Sequence, residues 1–340
     1  MTHPIDRIPI TVLTGFLGSG KTSLLNALLR RPEFRDSAIV VNEFGEIGLD
    51  HLLVSSAKEN IVLLDAGCLC CAVLDSLKET LADLYHRCAR HEIPTFQRVV
   101  IETSGLADPG PILRSILRDD LVAHIFRLQN LVCTVDAKFG LGELAAHPEA
   151  QAQLALADHI VVTKTDLTGD ICPPDLDARI RAVNPHATVQ LVRNGDIDGV
   201  LLLGDAADGA APSWVARLDA PRAHQHHHEE DVGSVSFRLD RPVTWSGIAA
   251  WTDVMRRRYG ADLMRCKGIL ALEDGKPVVL HGVQTMFDTA RLQAWPSDDR
   301  QSRIVCIGRG LDRAAIEQSL AWLHVPAGTQ PPGSGDMLPA

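Results

Sequence analysis

The chain has 340 residues, of which 46% are hydrophobic and 22% charged, a globular composition that excludes global disorder. Its 33 Lys+Arg stand against 43 Asp+Glu, a formal charge of −10, which argues against binding nucleic acid or an anionic membrane surface. A single core rarely outgrows roughly 250–300 residues, so two domains are expected, and no run reaches the roughly 18 apolar residues of a membrane span.

In chain order, apolar runs at 8–14, 38–41, 61–64, 98–102, 131–136, 159–163 and 188–192 alternate with helical patterns. That alternation predicts an α/β fold with a mostly parallel sheet and crossover helices. The clearest helix is 72–91, where Leu74, Leu77, Leu81, Leu84, Tyr85 and Cys88 share one face and read as core. A His-rich segment, His224-Gln225-His226-His227-His228-Glu229-Glu230-Asp231, breaks the pattern after Pro221 and reads as an exposed linker. Its histidines suit a weak metal-capture arm or a merely solvated linker. Strands at 234–239, 263–272, 277–280 and 303–307, with helices at 248–258 and 312–323, then predict a small α+β domain. The expected organisation is a P-loop domain at 1–218, a linker at 219–231, a second domain at 232–325 and a disordered tail at 326–340.

Gly15-Phe16-Leu17-Gly18-Ser19-Gly20-Lys21-Thr22 has the spacing G-x-x-x-x-G-K-[ST], after a predicted strand and opening a helix. Glycines let successive backbone N–H groups wrap phosphates. Lys21 then reaches the β/γ-phosphates, and the Thr22 hydroxyl ligates Mg²⁺ beside Ser23 at the helix N-terminus. Before nucleotide binds, Lys21 is expected to be exposed. Glu102 ends a buried strand and suits the Mg²⁺ shell, and the Gly105 N–H is placed to sense the γ-phosphate. In Thr163-Lys164-Thr165-Asp166, a carboxylate at Asp166 accepts from the N1–H and N2–H₂ edge of guanine, and the Lys164 stem covers the base. Together these motifs favour GTP over ATP.

Of eight cysteines, Cys68, Cys70 and Cys71 cluster in Gly67-Cys68-Leu69-Cys70-Cys71. The distribution, without a signal-peptide pattern at the N-terminus, reads as cytosolic thiols rather than a disulfide framework. Thiolates near a helix N-terminus favour Zn²⁺. A Cys68-x-x-Cys71 redox pair and buried structural cysteines are the alternatives. Glu43 and Glu46, in Asn42-Glu43-Phe44-Gly45-Glu46, stand where an α/β GTPase carries its first switch. They offer oxygen ligands to the same metal or a response to the γ-phosphate; a solvated loop is the alternative for each.

These segments, with Glu102-Thr-Ser-Gly-Leu-Ala-Asp-Pro109 and, further on, Leu263-Met-Arg-Cys-Lys-Gly-Ile-Leu270 and His281-Gly-Val-Gln284, resemble the CobW-type metal-chaperone GTPases, nearest the YjiA-like branch, over about 8–325. The resemblance implies a GTPase that cycles between GTP and GDP with Mg²⁺. It also implies that the chain binds Zn²⁺ or a related divalent metal through Cys68, Cys70 and Cys71 and delivers it to a metal-dependent client protein. A homo-oligomer is left open. No water-positioning Gln or arginine finger is assigned, so slow intrinsic turnover is expected. Two positions depart from the family pattern. Thr163 replaces the Asn of many GTPases, which predicts weaker packing of the base loop, and Asp65-Ala66 replace a polar Ser/Thr-Asn pair. Two rivals use only part of these features. A P-loop kinase or ATPase has no use for Asp166 or the cysteines, and a plain zinc buffer has none for Glu102.

Overall fold

The computed structural model describes residues 7–42, 61–64, 72–193 and 232–326, which fall into two compact units, each built on one sheet. The first unit carries β1 (Ile8–Gly15), β2 (Ser37–Asn42), β3 (Ile61–Leu64), β4 (Arg98–Glu102), β5 (Phe126–Asp136), β6 (His159–Thr163) and β7 (Thr188–Leu191). These strands pair in parallel in the order β3-β2-β4-β1-β5-β6-β7. Parallel strands buried on both faces need apolar side chains at successive positions, as Val99-Val100-Ile101 and Ile160-Val161-Val162 supply, all essentially inaccessible.

Crossover helices include α1 (Lys21–Leu29), α2 (Ala72–Ala89), α3 (Pro109–Arg118), α4 (Asp120–Ile125), α5 (Gly140–Ala146), α6 (Pro148–Leu156) and α7 (Pro174–Val183). Leu24, Leu25 and Leu28 of α1 pack against Leu13, Ile39, Val100, Val132 and Val161 of the sheet. The order in which strands are added reverses beside β1. From β1 the chain moves to β2 on one side, whereas from β4 it moves to β5 on the other. The carboxyl ends of β1 and β4 therefore flank a topological switch point, where open α/β sheets bind ligands.

The 72–91 helix differs from expectation at its end. Leu77, Leu81 and Leu84 are buried, but Tyr85 is 37% exposed and Cys88 only half-buried. Tyr85 lies one turn before the end of α2, and His91 ends the helix region in a left-handed conformation at φ 58°. The start of β5, at Phe126, precedes the expected strand because Arg127, Gln129 and Asn130 interrupt its apolar run.

The second unit is antiparallel: β8 (Val232–Leu239), β9 (Leu263–Ala271), β10 (Pro277–Val283), β11 (Met286–Arg291) and β12 (Ser302–Arg309) lie in the order β11-β10-β9-β12-β8. One face of the sheet packs on α8 (Trp245–Tyr259) and α9 (Arg313–Ser319) through Cys266, Leu270, Leu280, Ile304 and Cys306 against Trp251, Met255 and Ile316. The buried Trp251 indole N–H donates to Ser319 Oγ at 3.0 Å. Helix α8 starts earlier than the apolar pattern indicates because the Thr244 hydroxyl accepts from Gly247 N–H at 2.8 Å. Strand β11, unexpected from sequence, is mostly exposed and lacks an apolar alternation. The expected linker (219–231) and most of the tail (327–340) lie outside the described residues. Among the described residues no helix is long and apolar enough to cross a membrane.

Candidate functional site

The phosphate loop leaves the end of β1 at Gly15. A Cβ there meets Thr134 Oγ1 at 2.2 Å and Thr134 O at 2.5 Å, so any larger residue pushes β1 and β5 apart. Ser19 anchors the loop from inside: its hydroxyl donates to Phe16 O at 2.7 Å and lies 2.6 Å from Thr134 Oγ1. Gly20 caps α1 in the left-handed region, and Ser23 is exposed on the first turn.

Lys21 corrects an expectation. Its side chain is only 9% exposed, because Nζ donates to Gly15 O at 3.0 Å and Phe16 O at 3.1 Å. The ammonium is drawn back by two loop carbonyls instead of extending into solvent. One residue on, Thr22 Oγ1 donates to Glu102 Oε1 at 2.8 Å. Glu102 is buried at the end of β4, paired in register with Leu13 of β1. A hydroxyl and a carboxylate oxygen this close form a hard donor pair that fits Mg²⁺.

The strand-end loop after Glu102 is tied to the phosphate loop. Thr103 N–H donates to Leu13 O at 2.9 Å, and its hydroxyl donates to Thr14 Oγ1 at 2.9 Å. Gly105 comes so near Leu17 that a Cβ meets the Leu17 backbone N at 2.8 Å.

The 163–166 motif joins the same assembly. From a buried position, Thr163 Oγ1 donates to Ser19 O at 2.6 Å and lies 3.3 Å from Val135 O. The hydroxyl thus provides a direct contact between the base motif and the phosphate loop at the position where many GTPases carry Asn. Lys164 sits at φ 56°, ψ 33°, and its Nζ donates to Asp136 Oδ2 at 2.7 Å. Asp166 is exposed on the following 3₁₀ turn.

Four residues that sequence reading passed over complete the surroundings. Asp136 is 1% exposed at the end of β5, and its Oδ1 also accepts from Lys138 N–H at 2.7 Å and Phe139 N–H at 3.0 Å. An acid ending a buried strand is the signal that singled out Glu102, and it singles out Asp136 equally. Glu143 of α5 is raised above its ordinary value by burial and then by Asp136, against the pull of Lys164, His147 and Lys21. The His147 ring stacks on Phe16 of the phosphate loop, centroids 4.5 Å apart at 24°. Gln153 stands alone as an amide in the small apolar stretch 152–156 and hydrogen-bonds the Gly105 segment. Burial also pushes the Cys133 thiol, on β5, up to about 12, with Lys21 pulling the other way.

The structure thus brings together Gly15, Gly18, Ser19, Gly20, Lys21, Thr22, Glu102, Gly105, Thr163 and Lys164. The expected metal ligands Cys68, Cys70, Cys71, Glu43 and Glu46, with Asp65-Ala66 and the histidines at 224–228, lie outside the described residues. Among the described residues no group of three or more His, Cys, Asp or Glu is placed to hold a metal.

Known proteins resemble this chain over most of its length. The zinc chaperone YjiA of Escherichia coli is 32% identical over 94% of this chain and 100% of its own length. The zinc chaperone CobW of Pseudomonas aeruginosa is 30% identical, covering 93% of this chain and 91% of its own. A crystal structure of Zn(II)-bound YjiA GTPase from E. coli superimposes with a TM-score of 0.69 and 26% identity over 94% of this chain and 100% of that one. A Zn(II)-bound triple mutant of the YjiA GTPase gives a TM-score of 0.70 with 27% identity and the same coverage. The model of the CobW/HypB/UreG nucleotide-binding domain matches residues 9–190, and that of the cobalamin synthesis protein CobW C-terminal domain matches residues 232–323. The chain belongs to the CobW/HypB/UreG family and carries its CobW C-terminal domain.

Proposed function

We propose that the chain is a GTPase that binds Zn²⁺, or a related divalent metal, and couples its nucleotide state to delivery of that metal to a metal-dependent client protein in the cytoplasm. The observation that carries the reading is the bridge from Thr163 Oγ1 to Ser19 O at 2.6 Å, which ties a base-reading motif to a phosphate loop.

In this reading Lys21 exchanges its loop carbonyls for the β/γ-phosphates, a charge-assisted and hence stronger partner. Thr22 and Glu102 hold Mg²⁺, which when bound neutralises charge on the β- and γ-phosphate oxygens. Gly105 presents its N–H to the γ-phosphate, while Lys164 and Asp166 receive the guanine. Asp136 keeps the Lys164 side chain at the base side of the loop through the 2.7 Å ion pair. The nucleotide domain extends over 1–218 and the C-terminal domain over 232–325, with the linker at 219–231.

Cys68, Cys70 and Cys71 supply soft thiolate ligands for the cargo metal, with Glu43 and Glu46 as oxygen donors. Support comes from their described neighbours. Strand β2 ends at Asn42 and β3 at Leu64, at the carboxyl edge that also bears Gly15 and Glu102, and Val41 pairs in register with Glu102. A change at the γ-phosphate is then felt where the metal candidates begin, and the coupling is reciprocal.

Turnover of GTP and ATP with and without Zn²⁺, and Zn²⁺ affinity by competition with a chromogenic chelator in the GTP- and GDP-bound states, test the proposal. Preference for GTP and unequal zinc affinities are expected. Zinc affinity also falls as pH falls, because thiols must lose protons to bind. Equal zinc affinities in the two states refute metal coupling, and preference for ATP refutes the base assignment.

A further inference from the structure

Helix α6 carries a polar side chain that helix formation does not call for. Gln153 lies among Ala150, Ala152, Leu154, Ala155 and Leu156 and is 0% exposed. Its Nε2 donates to Gly105 O at 3.1 Å and to Ala107 O at 3.0 Å, so both amide hydrogens serve one loop. Its Oε1 is buried and has no hydrogen-bond donor among the described residues. An orphaned buried acceptor is costly, and an apolar side chain here avoids that cost. The amide is thus placed for the loop at the expense of the helix.

That loop follows Glu102 and packs on the phosphate loop at Leu17. The two carbonyls held by Gln153 flank Leu106, which is exposed at the tip. The N-cap of the same helix is His147, whose ring stacks on Phe16. Helix α6 therefore reaches both loops, one from its N-cap and the other from its middle.

We propose that α6 clamps the phosphate loop and the 103–107 loop together, and that Gln153 is the positioning residue through which the protein distinguishes GTP from GDP. The inference rests on the nucleotide reading above and deepens it. A loop engages the γ-phosphate at full strength only if it is already ordered; one that must be ordered on binding lowers the affinity of the ligand that needs it. GDP has no γ-phosphate and makes no such demand. By pinning two carbonyls, Gln153 orders the loop in advance.

Gln153→Met keeps the length and removes every polar atom. Gln153→Glu keeps the shape and turns an anion toward two carbonyls. Fluorescent GDP and a non-hydrolysable GTP analogue are titrated into each full-length variant, with kcat and KM measured alongside. In Gln153→Met the GTP-analogue affinity is expected to fall about tenfold, the scale of two lost hydrogen bonds, while GDP affinity changes less than about twofold. In Gln153→Glu the GTP:GDP preference is expected to be lost near pH 8. It recovers in part as pH falls and the carboxyl regains an O–H donor. A residue that only fills space shows no such recovery. Equal weakening of both nucleotides in both variants, or an unchanged GTP:GDP ratio, overturns the proposal. Failure of the wild type to bind either nucleotide overturns the nucleotide reading itself, which separates the two.

Discussion

Thr163→Val removes one hydroxyl and keeps the branched shape, so it tests the bridge between base motif and phosphate loop without opening a cavity. Thr163 Oγ1 donates to Ser19 O at 2.6 Å from a side chain 6% exposed. Stripping a buried carbonyl of its donor costs about 1–3 kcal/mol. Ser19 belongs to the loop that must wrap the phosphates, so the cost falls on the conformation nucleotide selects. Expressed wholly in binding, it raises the GTP dissociation constant about 5- to 150-fold. Expressed in stability, it lowers the unfolding midpoint by about 2–4 °C per kcal/mol in a domain of this size. Titration of a fluorescent GTP analogue, paired with a thermal melt, measures both shares. Thr163→Ser retains the hydroxyl and should restore most of the loss. An affinity within about twofold of wild type together with an unchanged midpoint in Thr163→Val refutes the bridge as a working contact.

Lys21→Ala is expected to abolish GTP turnover, read as phosphate release. It should also lower the unfolding midpoint, because Gly15 O and Phe16 O lose a buried ammonium donor. Asp166→Asn is expected to move preference from GTP toward XTP, whose C2 oxygen accepts where guanine donates; an unchanged margin for GTP excludes Asp166 as the base reader. The Cys133 thiol, pushed up to about 12, is protonated at neutral pH, and only thiolate reacts. In native protein the half-buried Cys88 and Cys172 should therefore take a maleimide label well before Cys133, as peptide mass spectrometry would show, and denaturant should erase the difference.

Parallel strands were legible because burial on both faces leaves a nearly unbroken apolar run, as in Val99-Val100-Ile101. The phosphate loop was legible because its spacing is set by backbone geometry close in sequence. Strand β11 was not, since an exposed edge needs no apolar alternation to form when β10 supplies its hydrogen bonds. Nor was the inward turn of Lys21, which depends on where two carbonyls point. Gln153 meets Gly105 across 48 positions, and Thr163 meets Ser19 across 144. Contacts at such separations follow from strand order, which no local pattern states. Tyr85 shows the converse error: helical spacing puts it on the apolar face, yet it is exposed while the adjacent Leu84 is buried.

The second sheet has a consequence for biosynthesis. Strand β8 is made first, yet its hydrogen-bonded neighbour is β12, made last, with Val232 opposite Arg309 and Leu239 opposite Ser302. Strands β9, β10 and β11 can zip as successive hairpins while the chain is still growing. Strand β8 has no ladder to join until β12 slides between it and β9. During that interval its unpaired edge is open to other nascent chains, the standing hazard of late-closing sheets. Chains stopped before Arg309 should therefore accumulate as aggregates rather than as smaller folded proteins, and slowing or chilling expression should favour release of the full-length chain in folded form.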